Sequence, residues 1–169
     1  MKNSIIIMVV CFAAHVAISA ESGDAARGKA LSGACVGCHQ ADGNGRDNAS
    51  GEAWPRLAGL NAEYLAAQLA AYKSGERKSA SMKTFSRMMD EQKMADIAAY
   101  YAALPPAPVT AAAAPPEEAL LARGKVLAEQ GDSERNIQPC TQCHGAGNRG
   151  DGKIPAITAQ PASYLRAQI

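Results

Sequence analysis

The feature that most constrains this chain is Cys35-Val36-Gly37-Cys38-His39, repeated as Cys140-Thr141-Gln142-Cys143-His144. Two cysteines separated by two residues and followed at once by histidine form the pattern of c-type haem attachment. The spacing answers to the chemistry: both thiols must reach the two vinyl groups of one porphyrin while the next residue turns its imidazole onto the iron. Thiolates at this spacing also open zinc ribbons and knuckles. A four-ligand zinc site would draw on both pairs, yet each pair carries its own histidine and a long stretch of chain separates them. The pattern therefore predicts two covalently attached haem c groups. Cys35 and Cys38 hold the first, with His39 on its iron; Cys140 and Cys143 hold the second, with His144.

Aromatic residues make up only 5% of the 169 residues. Domains of roughly 80 residues with so few large side chains struggle to bury enough apolar surface alone, and a porphyrin in each would fill the deficit. The formal net charge is +1. Nothing in that balance points to nucleic acid or an anionic membrane surface, so contact with a membrane is expected only through a membrane-bound partner.

Residues 1–20 read as a secretory signal peptide: Lys2 starts it, an apolar run extends from Ile5 to Ala14, and Ser19-Ala20 precede Glu21. His15 interrupts a run already short for a membrane span. Cleavage after Ala20 sends the chain to the periplasm and removes Cys11 and His15. The remaining cysteines then all lie in the two haem motifs, and His39 and His144 are the only imidazoles. Bis-histidine ligation from within the mature chain is excluded. A sixth iron ligand must be Met, Lys, a small molecule or nothing.

The first domain is expected over 21–104. A helical stretch from Asp24 leads into Cys35, and Gly28 within it marks a close approach of another helix. Asp42-Gly43-Asn44-Gly45 forms a turn-rich loop. A helix capped by Asn61 buries Leu65, Leu69 and Tyr72 and ends at Ser74-Gly75, with Leu60 and Leu65 as a hydrophobic staple. A last helix runs from about Asp90 to Leu104, with Met94, Ile97, Ala98 and Tyr101 on its core face. The uncharged Pro- and Ala-rich stretch 105–116 is a semi-rigid linker.

Beyond the linker, in 117–169, the chain repeats itself. Ala26-Arg27-Gly28-Lys29 returns as Ala122-Arg123-Gly124-Lys125, Pro55 as Pro155, and Tyr64-Leu65 as Tyr164-Leu165. Such self-similarity means duplicated domains. The second copy has a longer approach to its haem motif, Gln130 to Gln138, and a shorter loop after it. It stops at Ile169, the counterpart of Leu69, so it is expected to be an incomplete domain whose chain carries no sixth ligand after His144.

These residues resemble dihaem class I cytochromes c, and specifically the cytochrome c4 family of bacterial periplasmic electron carriers. The likeness runs from Gly23-Asp24-Ala25 through the first haem motif, Ala41-Asp42-Gly43-Asn44-Gly45, Pro55-Arg56-Leu57-Ala58-Gly59, Tyr72-Lys73-Ser74-Gly75 and Ala95-Asp96-Ile97-Ala98-Ala99-Tyr100-Tyr101. It implies an all-α fold of two tandem class I cytochrome c domains related by duplication, the second truncated. It also implies Met/His ligation of each haem and delivery of electrons towards a terminal oxidase. By the same likeness, the carbonyls of Pro55 and Pro155 accept the Nδ1 protons of His39 and His144, fixing each ring.

Among the methionines, Met94 belongs to the core and Met89 can staple onto it. Met82 and Met88 remain for the first iron, and alignment with the family pattern puts the ligand at Met82, in a loop that bends over the porphyrin, with Met88 as runner-up. Phe85 is read as packing at the haem edge. Lys73, Arg77, Lys78, Lys83 and Arg87 gather around this segment as a solvated face that could steer an acidic redox partner, and Tyr100 and Tyr101 as helix-packing residues.

The function expected is that of an electron carrier rather than an enzyme: a periplasmic dihaem protein moving electrons from a donor protein towards a terminal oxidase in a respiratory chain. Two alternatives stand beside it. One is a cytochrome subunit of a dehydrogenase or oxidase complex; the other is a haem peroxidase or gas-binding protein, should the second iron keep an open site.

Overall fold

The structure is a computed structural model that describes residues 22–47, 53–108, 117–150 and 152–169. The predicted signal peptide lies outside them, as do linker residues 109–116. Among the described residues there are helices and turns but no strand; the only extended pairings are isolated bridges between Arg46 and Trp54 and between Asp132 and Ile137.

In the first half, α1 (Ala25–Leu31) begins where the Asp24 side chain accepts the Arg27 amide. A 3-10 turn over Ser32–Ala34 leads into the short helix α2 (Val36–His39), which carries the first haem motif. Asn61 caps α3 (Ala62–Ser74) by accepting the Tyr64 amide, and Gly75 closes it in the left-handed conformation at φ 89°. Asp90 caps α5 (Glu91–Ala103), and Pro105-Pro106 ends it. Between them stands a helix that periodicity did not foretell. Residues Ala80–Arg87 form α4, with Ser79 as its N-cap. Met82, Phe85 and Met89 fall at i, i+3 and i+7 along this segment, a helical face that the loop reading overlooked.

Leu60, Leu65, Leu69, Met94, Ile97, Ala98 and Tyr101 form one buried cluster, with Leu60 and Leu65 stapling the entry to α3. Each such large side chain is worth about 1.5–3 kcal/mol when fully buried. The tightest junction is α1 on α5. A Cβ on Gly28 would lie 2.0 Å from the Asp96 carbonyl oxygen, so only glycine lets the backbones meet. Asp96, 3% exposed, locks the junction by accepting from Arg27 Nε at 2.8 Å, Arg27 Nη2 at 3.0 Å, the Asp24 amide at 2.8 Å and Gln92 Nε2 at 3.0 Å.

The second half contains α6 (Glu118–Gln130), α7 (Cys140–His144) and α8 (Ala162–Gln168). Its longer approach to the haem motif is a small clasp in which the amides of Asp132 and Ile137 each donate to the other's carbonyl at 2.8 Å. Leu120, Leu121 and Val126 of α6 are about half exposed, and the space beside Gly124 is open for 4 Å.

The halves meet through polar contacts. Gln160 holds the Arg56 backbone at both ends, its Oε1 accepting the amide and its Nε2 donating to the carbonyl, each at 2.9 Å. Arg56 Nη2 donates to the Thr158 carbonyl at 2.9 Å. Arg77, expected on a solvated face, instead donates to Tyr164 Oη at 2.6 Å and Gln168 Oε1 at 2.8 Å. The Ser163 amide donates to Asp47 at 2.8 Å, and Lys153 meets Glu63 at 2.8 Å.

Candidate haem-binding site

Each Cys-x-x-Cys-His motif lies on a single helical turn. The i, i+3 relation puts Cys35, the N-cap of α2, on the same side of the turn as Cys38, and Cys140 and Cys143 on one side of α7. All are thiols rather than disulfides, and burial pushes the Cys35 thiol up from its ordinary range. Among the described residues no three His, Cys, Asp or Glu side chains converge on a point that could take a metal ion, so the zinc arrangement finds no ligand set.

His39 Nδ1 lies 2.9 Å from the Pro55 carbonyl, and His144 Nδ1 lies 2.7 Å from the Pro155 carbonyl. A proline carbonyl can only accept, so each Nδ1 donates to it and Nε2 is the nitrogen that would ligate a metal. The chain reaches these carbonyls by the same route twice. The Gly45 amide donates to the His39 carbonyl at 3.1 Å, and the Gly150 amide to the His144 carbonyl at 2.8 Å. Gly45 and Gly150 have φ 64° and 80°, and a Cβ on either would strike the returning Pro55 or Pro155 segment within 2.7 Å. The sequence places Gly45 in a turn-rich loop, and its match with Gly150 lies in their common position six residues after each histidine. The loops part only beyond this point, where the first takes a longer path to its proline.

Both motifs open into one cavity of about 1040 Å³, lined from the first half by Cys35, Cys38 and His39 and from the second by Cys140, Cys143 and His144. Small-molecule sites commonly run roughly 300–1,000 Å³, so this space lies at the upper end of that range. Its walls are mostly apolar: Leu57, Leu65, Ile97 and Phe85 among them. Met82 and Met89 reach it from one face of α4 and the turn after it. Met88, 65% exposed, does not line it. Tyr101 also lines the cavity while 1% exposed, with its hydroxyl against the Cys35 thiol. Of the basic residues expected to form a steering face, Lys73 is tied to the Met89 carbonyl at 2.6 Å and Arg77 to the joint between the halves.

A helical fold, paired thiols on a turn, an imidazole oriented by a carbonyl and an apolar cavity together define a class I cytochrome c, and the residues present fit a covalently bound haem c. A family profile described as Cytochrome c matches residues 25–104. The chain is 35% identical over 156 residues to a cytochrome c4 of Thiocapsa roseopersicina, covering 90% of this chain and 76% of that one. It is 38% identical over 136 residues to a thiosulfate dehydrogenase electron acceptor of Thiomonas intermedia, covering 80% of this chain and 60% of that protein's length. Its fold resembles the crystal structure of reduced recombinant cytochrome c4 from Pseudomonas stutzeri with a TM-score of 0.75 at 28% identity, over 87% of this chain and 78% of that one. The chain belongs to the cytochrome c4 family.

Proposed function

We propose that this protein is a periplasmic dihaem electron carrier that takes electrons from a donor protein and passes them towards a terminal oxidase. The observation that carries the proposal is the duplication of a complete proximal arrangement: paired cysteines, a histidine, a glycine six residues on, and a proline carbonyl on Nδ1. In this reading 1–20 is a leader, 21–104 the first haem domain, 105–116 a linker and 117–169 the second haem domain. Cys35, Cys38 and His39 hold one haem; Cys140, Cys143 and His144 hold the other.

Haem iron supplies one-electron chemistry at a potential set by its ligands and surroundings. The protein's part is positional. Pro55 and Pro155 fix the orientation of each imidazole. The apolar wall keeps water from the site. Met82 offers a thioether to the first iron from the cavity side of α4, and a sulfur ligand raises the potential relative to a second imidazole.

The test of the first site is an optical redox titration of the haem-loaded protein. Met82→Ala abolishes the weak red absorption of a thioether bound to ferric iron, whereas Met88→Ala leaves it unchanged. The reverse result would move the ligand to Met88. Carbon monoxide binding to the reduced first site of the unaltered protein would favour gas or peroxide chemistry there.

A second reading has its own support. Because the match to a thiosulfate dehydrogenase electron acceptor is as strong as that to cytochromes c4, the donor could be a sulfur-compound dehydrogenase to which this chain docks as a subunit. Rapid mixing with such a dehydrogenase and thiosulfate would reduce the haems at a rate saturating with enzyme; no reduction would leave the general carrier role.

A further inference from the structure

Arg56 is 3% exposed, yet every hydrogen bond it makes is to an uncharged oxygen. Nη1 donates to the Ala58 carbonyl and Nη2 to the Thr158 carbonyl across the joint, while Nε is buried without a partner. No carboxylate lies within ion-pair distance of it among the described residues. Placing a cation in such a position is costly unless something nearby compensates. Burial duly pushes the guanidinium pKa down, although an arginine stays charged at any working pH.

Its position in the chain gives that charge a use. Arg56 directly follows Pro55, whose carbonyl holds His39, and its side chain ends on Thr158, three residues beyond Pro155, whose carbonyl holds His144. One fixed positive charge therefore stands between the two histidine-bearing loops. Ferric haem carries one more positive charge than ferrous haem, so a buried cation disfavours oxidation of either iron. From these placements we propose that Arg56 is a potential-setting residue shared by both haem sites, raising both reduction potentials together. The proposal rests on the two-haem reading. In an interior of effective dielectric about 20, a unit charge roughly 10 Å away shifts such an equilibrium by about tenfold.

The test compares three variants of the haem-loaded protein, after mass spectrometry has confirmed two haems on each. Arg56→Gln keeps a polar side chain and removes the charge. Arg56→Lys keeps the charge and loses the planar fork. Gln160→Ala removes both hydrogen bonds to the Arg56 backbone and leaves the charge in place. Reduction of both haems is expected to become up to about tenfold less favourable in Arg56→Gln, about 59 mV for one electron. In Arg56→Lys and Gln160→Ala both potentials stay near those of the unaltered protein, even where the melting temperature falls. A merely structural arginine would lower stability in all three and move no potential selectively. Equal potentials in Arg56→Gln and Arg56→Lys, or a shift confined to one haem, would overturn the shared role. Should Arg56→Gln fail to fold, a potential shift in Gln160→Ala matching its loss of stability would overturn it too. A haem count of one on the unaltered protein would instead defeat the two-haem reading itself.

Discussion

The two halves begin with the same four residues and put them to different use. In the first, Ala26-Arg27-Gly28-Lys29 lies on α1 against α5: Gly28 touches the Asp96 backbone and Arg27 grips the Asp96 carboxylate. In the second, Ala122-Arg123-Gly124-Lys125 lies on α6, where nothing comes within 4 Å of the position a Gly124 side chain would take. No residue of α6 is buried, and among the described residues Arg123 makes no ion pair. Around the histidines the halves agree closely, down to the glycine and the proline carbonyl. A motif's local chemistry is thus set by a short loop closing on itself, while the same residues on a helix acquire meaning only from the helix packed against them.

The largest effect that would break or sharpen this contrast is on glycine. Gly28→Ala drives a Cβ into the Asp96 carbonyl and is expected to cost about 3 kcal/mol, the upper end of overpacking penalties. Gly124→Ala meets open space and should stabilise α6 by about 0.5–1 kcal/mol, the helix-interior advantage of alanine. Denaturant titrations of both variants measure the two signs; destabilisation by both would mean that α6 is as tightly covered as α1.

Acid is the next lever. The Arg27 side chain first, and then the Asp24 amide, hold the Asp96 carboxyl well below the usual carboxylate range. A depressed carboxylate stabilises the fold fully above its unfolded pKa, about 3.9, and that contribution is lost as pH falls below it towards the folded value. The first half should therefore lose stability below about pH 4, and Asp96→Asn should flatten that part of the melting profile. An unchanged acid limb in the variant would remove Asp96 from the account.

Smaller effects are expected where the halves touch. Tyr164→Phe removes one hydrogen bond from Arg77 and should cost about 1 kcal/mol, read as easier separation of the two unfolding transitions. Lys153→Ala breaks a pair whose side chains are 76% and 64% exposed and should leave the melt unchanged.

Much of this was legible in the sequence because the signals were local. The Asn61 and Asp90 caps, the Leu60–Leu65 staple and the Gly28 contact each depend on a few neighbouring residues or on strict periodicity, and the structure carries all of them. The misses needed three dimensions. Residues 80–87 read as a loop in sequence because the helix is short and polar, and its apolar side, with Met82 and the following Met89, gains meaning only against the core it packs on. Arg77 was read as a surface charge because its acceptors, Tyr164 and Gln168, lie far along the chain. Arg56 gave no signal in sequence, since nothing local distinguishes an arginine that will be buried against another domain. Gly45 and Gly150 could have been found: the same residue at the same offset from the two motif histidines is visible in the repeat.

The measurement that most directly tests the central claim is the mass of the intact protein, made in cells equipped for haem attachment and compared with two variants. Two haem increments on the unaltered chain are predicted, with one lost in Cys35→Ala/Cys38→Ala and one lost in Cys140→Ala/Cys143→Ala. A single increment, or one that disappears only when the first pair is removed, would contradict the reading of the second half as a haem domain.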